Sequence, residues 1–266
     1  MERSLLASAE CYLFDMDGTL YLGDRLLPGA SELIEYLTDQ AIPYYFVTNN
    51  SSRSRLDYLE KLEKLGLHVD HNSVFTSGEA TAIYLQHEKP GARLYLVGTP
   101  SLEAEFAGYG FKLKDDDPDY AVLGFDTTLT YDKLWRLCDL VREGVPYIAT
   151  HPDINCPTAD GFMPDIGSMM ALVETSTGRK PDVIIGKPYP SMIESLVQKT
   201  GCPKEKMVMV GDRLNTDIAM GKAGIITVLV LSGEAQEADI PDAVHPPDLV
   251  VENLEHLLQY LRLMEQ

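Results

Sequence analysis

The sequence predicts an α/β fold: a doubly wound parallel sheet with a smaller α/β domain inserted into it. Three observations predict this. Short apolar runs alternate with amphipathic stretches along the whole chain. Several of those runs stop abruptly at small polar or acidic residues, as parallel strands do at the sheet edge where ligands collect. The block from about residue 78 to 183 repeats the strand–helix alternation on its own, with enough chain for a separate core. The expected division is a core of residues 1–77 and 184–266 and an inserted domain of residues 78–183.

Size and composition narrow the class. The chain has 266 residues, 45% of them apolar and 24% charged, which is ordinary for a soluble globular protein. The longest apolar run, residues 225–231, is too short to span a bilayer. Met1-Glu2-Arg3-Ser4 lacks the basic start and apolar stretch of a secretion signal. Cys11, Cys138, Cys156 and Cys202 are scattered with no Cys-x-x-Cys pair, so reduced thiols and a cytoplasmic location are expected. The net charge of −19 argues against nucleic acid and against an anionic membrane as partners. An anionic small substrate would then need local positive charge from a metal, a lysine or helix N-termini.

Taken in order, residues 12–14 read as a buried strand ending at Asp15 and Asp17. Residues 29–39 form a helix with Leu33, Ile34 and Leu37 inward, and residues 42–47, aromatic and β-branched, a second strand. That strand ends in Thr48-Asn49-Asn50-Ser51-Ser52, before a helix over 54–65 stopped by Gly66. The inserted block then supplies a helix over 79–86 and strands over 93–97 and 120–125. A helix over 130–143, a strand over 146–149, a loop over 151–167 and a short helix over 168–174 follow. Residues 183–185 resume the strand pattern and end at Gly186-Lys187-Pro188. A helix over 191–199 follows, with Ser191 and Glu194 as a capping box. The strand over 207–210 ends at Gly211-Asp212, with Asp217 five residues on. A helix to Ala223, a strand over 226–231 and a terminal strand and helix over 249–263 complete the chain.

Asp15 and Asp17 stand at a strand end, and Gly18 is expected to bend the chain and re-aim Asp17. Two acids so close repel unless a cation or a proton offsets one charge. An Asp-Gly surface turn is one alternative. A calcium loop is another, but Gly18 follows Asp17 at once and no Glu arrives before Glu32.

Four strand ends carry polar sets: Asp15/Asp17, Thr48-Asn49, Lys187 and Asp212/Asp217. In a parallel doubly wound sheet these ends converge. The chemistry that needs this set is phosphoryl transfer through an aspartyl-phosphate. Asp15 is the expected nucleophile, and Asp17 protonates the leaving oxygen and later activates water. A divalent cation is held by Asp15, Asp212 and the backbone carbonyl of Asp17. Thr48 and nearby N–H groups cradle the phosphoryl oxygens, Lys187 supplies fixed positive charge, and Asp217 orients Lys187 or a metal-bound water.

Asp15-Met16-Asp17-Gly18-Thr19-Leu20, Thr48-Asn49-Asn50, Gly186-Lys187-Pro188 and Gly211-Asp212 with Asp217 resemble, in that order, the four motifs of the haloacid dehalogenase (HAD) superfamily. The block between the second and third motifs resembles the inserted cap of its NagD-like, p-nitrophenyl phosphatase branch. Ala149-Thr150-His151-Pro152-Asp153 and Glu174 with Gly178-Arg179-Lys180-Pro181 are similar to that branch's cap and exit linker. The resemblance implies a Rossmann-like HAD core and a Mg²⁺-dependent phosphatase of small phosphate monoesters, such as sugar phosphates, nucleoside monophosphates or pyridoxal phosphate. It implies Asp15, Asp17 and Asp212 as metal residues, and Thr48, Asn49, Asn50 and Lys187 on the substrate side. Family members usually carry Asn where His151 stands. Caps of this branch often self-associate, so a homodimer through the cap is an expectation.

Rival readings fit the residues less well. A receiver-type phosphoacceptor module uses a similar Asp, Thr and Lys but has no domain inserted between the Thr and the Lys. A dehalogenase has no need of Asp17 or Asp212. A phosphomutase differs only in what its cap excludes. His68 and His71 beside Asp70 follow a helix stop and read as a polar loop rather than a metal cluster. Met169 and Met170 read as core filler, Asp115 to Asp117 as a solvated loop, and His151 with Asp153 as candidates to reach a leaving group.

Overall fold

The computed structural model describes residues 6–158 and 161–264, so the reading of Met1–Ser4 lies outside the described residues. The chain divides into two compact units. One comprises Met1–Thr48, Leu59–Phe75 and Leu196–Gln266, the other Asn49–Tyr58 and Thr76–Ser195.

The first unit is built on a six-stranded sheet in the order Leu249–Val251, Ile226–Val230, Met207–Gly211, Cys11–Phe14, Tyr44–Thr48, Val74–Thr76. The pairings from Leu249–Val251 across to Tyr44–Thr48 are all parallel. Its two central strands are buried along their whole length, which is why they read as continuous apolar runs rather than as alternating ones. Helix Ala30–Asp39 turns Leu33, Ile34 and Leu37 inward and packs against helix Leu254–Met264, which buries Leu257, Leu258 and Leu261. Each such side chain contributes about 1.5–3 kcal/mol by leaving water. Some details differ from the sequence expectation. The edge strand Val74–Thr76 is too short for its pattern to show, and Ile218–Ala223 winds as a 3₁₀ helix rather than an α-helix.

The second unit holds a five-stranded parallel sheet in the order Val183–Ile184, Tyr147–Ala149, Tyr120–Leu123, Arg93–Val97, Lys112–Leu113. Its core gathers Phe125, Leu137, Val141, Tyr147, Ile166 and Val173, with Met169 and Met170 packed partly against it as filler. Here the structure corrects the expectation for residues 183–185. Val183–Ile184 pairs with Tyr147–Ala149 and so belongs to this sheet, not to the first. A two-residue β-branched strand announces itself by propensity, but propensity does not choose its partner.

Helix Pro100–Gly108, absent from the sequence reading, starts where the Thr99 hydroxyl accepts the Leu102 N–H and proline takes the first turn. The expected loop over 151–167 contains an antiparallel hairpin of Asn155–Thr158 and Gly161–Pro164. Helix Ile166–Thr177 is longer than expected, begins at Asp165 and stops at left-handed Gly178. The Ser191 hydroxyl donates to the Ile184 carbonyl, and its helix begins at Pro190, so Ser191 lies inside the first turn rather than at the cap. All four cysteines are free thiols. Among the described residues no helix is long and apolar enough to cross a membrane.

Candidate active site

The first unit's sheet register sets the site. Phe14 lies level with Val210 on one side and Phe46 on the other, so three neighbouring parallel strands run out together at Asp15, Gly211-Asp212 and Thr48. Asp15 still belongs to the ladder, donating its N–H to the Val210 carbonyl at 2.9 Å. Carboxylate oxygens of Asp15, Asp212 and Asp217 all lie within 4.8 Å of one another. Asp212 and Asp217 are buried, Asp15 half-buried.

Local chemistry holds these acids in place. Asp212 Oδ1 accepts from the Thr19 hydroxyl at 3.3 Å and Oδ2 from the Glu234 N–H at 2.7 Å. Asp217 Oδ2 accepts the Arg213 N–H at 3.1 Å. Gly18 takes φ +89°, and the Ser232 hydroxyl donates to its carbonyl at 3.0 Å. At Gly233 a Cβ would fall 2.0 Å from Asp212 Oδ2, so only glycine lets that loop close on the carboxylate. Ser232, Gly233 and Glu234 follow strand Ile226–Val230, so the strand-end rule that singles out Asp15 covers them too, although the sequence reading did not name them.

Asp17 stands apart from this cluster. Its side chain is 64% exposed, with Tyr21 Oη donating to Oδ2 at 3.3 Å and Lys61 Nζ 3.8 Å from Oδ1. Tyr21 and Lys61 were not foreseen from the sequence. Tyr21 sits four residues past Asp17 behind a glycine bend, and Lys61 lies on the helix Arg55–Lys64, far away in sequence.

The remaining expected site residues show divergent surroundings. Thr48 ends its strand buried. Asn49, the next residue and the first of the second unit, turns its side chain onto Lys187. Its Oδ1 accepts the Lys187 N–H at 2.7 Å and its Nδ2 donates to the Lys187 carbonyl at 3.0 Å. Lys187 is buried at 2% exposure. Asn50 Oδ1 closes a turn by accepting the Ser52 N–H at 2.9 Å and hydroxyl at 2.7 Å.

His151, the candidate for a leaving-group contact, is packed within the second unit. It is fully buried, its Nε2 is 3.0 Å from Asp165 Oδ1, and its Nδ1 lies 3.1 Å from the Thr150 hydroxyl and 3.3 Å from that of Ser77. Both ring nitrogens are thus taken up within the second unit.

The donor set suits a hard divalent cation. Three carboxylates with no nitrogen or sulfur among them match Mg²⁺, Mn²⁺ or Ca²⁺ rather than a softer ion. Buried acids this close also need a positive charge to offset their repulsion and lost hydration. Among the described residues His68 and His71 join no metal-competent group.

The comparisons with known proteins agree with this arrangement. Residues 12–112 match the family model described as haloacid dehalogenase-like hydrolase, and residues 184–257 a second, HAD-hydrolase-like one. An acid sugar phosphatase of Staphylococcus epidermidis is 37% identical over 90% of this chain and 92% of its own length. The crystal structure of a 4-nitrophenylphosphatase from Thermotoga maritima is 48% identical, covers 96% of this chain and 98% of its own, and superposes with a TM-score of 0.92. NagD from E. coli K-12 is 32% identical over 93% of this chain and 97% of its own, with a TM-score of 0.87. With its acidic strand ends and these likenesses along nearly its whole length, the chain belongs to the haloacid dehalogenase-like hydrolases, in the NagD-like, p-nitrophenyl phosphatase branch, and is a phosphoric monoester hydrolase.

Proposed function

We propose that the enzyme hydrolyses small cytoplasmic phosphate monoesters, such as sugar phosphates, nucleoside monophosphates or pyridoxal phosphate, through a covalent aspartyl-phosphate on Asp15 and with Mg²⁺. The observation that carries this reading is the meeting of the Asp15, Asp212 and Asp217 carboxylates within 4.8 Å at the ends of adjoining strands. The names of the sugar and nitrophenyl phosphatases above support the choice of a small monoester.

In the first step an Asp15 oxygen attacks phosphorus and the bond to the leaving oxygen breaks. Asp17 gives its proton to that oxygen, so a neutral alcohol departs. In the second step a water attacks phosphorus, Asp17 takes the water's proton, and the Asp15–phosphorus bond breaks to release phosphate. Asp15, Asp212 and the Asp17 carbonyl are the proposed ligands of the cation, with Asp217 fixing their surroundings. The cation supplies charge that lets one anion approach another. Thr48 and the neighbouring N–H groups are assigned to the phosphoryl oxygens, and Lys187 to the fixed positive charge that a chain of net charge −19 must provide locally.

The test is release of phosphate from p-nitrophenyl phosphate. EDTA should abolish it and added Mg²⁺ restore it. Asp15→Asn should abolish it while thermal unfolding stays within a few degrees of the parent. Retention of more than about 5% of turnover by that variant would sink the nucleophile assignment, because losing a covalent nucleophile removes several orders of magnitude.

A further inference from the structure

We infer that Tyr21 and Lys61 act together to position Asp17 for proton transfer. This rests on the proposed role of Asp17 as acid and base. The carboxylate is 64% exposed on a bend just past the strand end, where an aspartate with no partners would sample several rotamers. Here each of its two oxygens has a partner. Tyr21 Oη bonds Oδ2 at 3.3 Å, while Lys61 Nζ approaches Oδ1 to 3.8 Å.

The two partners also hold each other. Lys61 Nζ stands 3.8 Å from the centre of the Tyr21 ring, a cation–π contact, and that ring is fully buried. The Tyr21 carbonyl accepts the Gly18 N–H at 2.9 Å, and a bridge links Asp17 to Tyr21, so the bend returns the chain onto itself. The phenol ring is therefore fixed before it reaches Asp17.

The chemistry suits both halves of the cycle. A phenolic hydroxyl can donate to a carboxylate or accept from a carboxylic acid, so Tyr21 keeps its bond as Asp17 gains or loses its proton. The ammonium of Lys61 interacts most favourably with the carboxylate left once the proton has gone to the leaving oxygen. Positioning of this kind matters most when the leaving group needs a proton.

The experiment compares kcat/KM for phenyl phosphate and p-nitrophenyl phosphate, esters of similar shape whose leaving groups differ in basicity. Tyr21→Phe and Lys61→Met should each lose about 10-fold or more on phenyl phosphate, a fraction of what general acid catalysis contributes, and under about 3-fold on p-nitrophenyl phosphate. Lys61→Arg should keep most of the activity, and competitive inhibition by inorganic phosphate should be unchanged throughout.

Equal losses on both esters would overturn the inference, as would weakened phosphate inhibition, which would make Lys61 a substrate-binding cation. Asp17→Asn separates the two levels of the argument. If it too treats both esters alike, the acid–base reading falls and takes the pair with it. If it discriminates between the esters while the Tyr21 and Lys61 variants do not, the pair alone is refuted.

Discussion

Gly18 and Asp212 are packed so closely that a Cβ on Gly18 would fall 2.3 Å from Asp212 Oδ2. The backbone there is also left-handed, at φ +89°. Gly18→Ala therefore meets two penalties, backbone strain and a carboxylate that must move. We expect it to destabilise the protein by about 1–3 kcal/mol and to raise the Mg²⁺ concentration for half-maximal activity by about 10-fold or more. Gly23 is the control, because it too is left-handed, at φ +61°, but nothing lies within 4 Å of its missing Cβ. Gly23→Ala should show the strain and leave the Mg²⁺ requirement alone. Thermal unfolding and metal titrations of both variants check this.

The His151–Asp165 pair ties stability to a residue that the sequence placed at the substrate. Asp165 Oδ1 accepts the Ile166 N–H at 2.6 Å, capping helix Ile166–Thr177, and lies 3.0 Å from His151 Nε2. Asp165→Ala removes a cap worth about 0.5–2 kcal/mol. It also strands a buried ring nitrogen, at a further cost of about 1–3 kcal/mol. We expect a combined loss of about 2–4 kcal/mol. It should be read as faster hydrogen exchange in that helix, with KM for p-nitrophenyl phosphate changed less than about 3-fold if His151 does not touch substrate. A large change in KM without loss of stability would restore His151 to the substrate side.

How much of this was legible in the sequence follows from what each signal encodes. Asp15 and Asp212 were readable because parallel strands buried on both faces leave continuous apolar runs, and these acids stand just where those runs stop, with Asp217 in the turn that follows. The partner of Val183–Ile184 was not readable, since a short strand carries no mark of the sheet it joins. The contacts of Asp17 were hidden for another reason. Tyr21 and Lys61 look like ordinary core and helix-face residues; the Gly18 bend returns Tyr21 to the carboxylate, while Lys61 comes to it from the distant helix Arg55–Lys64. Asn49 and His151 were recognised as polar residues near strand ends, but which atoms their side chains meet depends on loop packing that no local pattern records.

Acid stability of the second unit should depend on Asp119. Side-chain hydrogen bonds from Arg93, then from Lys89, together with the Arg93 N–H, hold its carboxyl well below the usual carboxylate range. A depressed folded-state value means that the stabilisation is fully present above the unfolded value, near pH 4, and is lost as pH falls towards the folded one. Lys89 and Arg93 are substantially exposed, so the screened contribution is about 0.5–1 kcal/mol. Asp119→Asn should therefore weaken hydrogen-exchange protection of strands Arg93–Val97 and Tyr120–Leu123 at pH 7, and the difference from the parent should shrink below pH 4. A gap between variant and parent that widens on acidification would refute the assignment.

Asn49 offers the sharpest test of how Lys187 is placed. Its amide meets both the N–H and the carbonyl of Lys187, and its Nδ2 also donates to Asp153 Oδ1 at 3.0 Å. Asn49→Ala removes all three bonds inside a buried loop, at a cost of about 2–3 kcal/mol. If Lys187 supplies the charge that steadies the phosphoryl group, freeing its backbone should lower kcat/KM by about 10²-fold, the usual penalty for misplacing a catalytic group by an ångström. The double variant decides whether Asn49 acts through Lys187. Asn49→Ala added to Lys187→Ala should lose little further activity, because the group that Asn49 positions is already gone. Losses that add in full would show that Asn49 contributes independently, by touching the substrate itself.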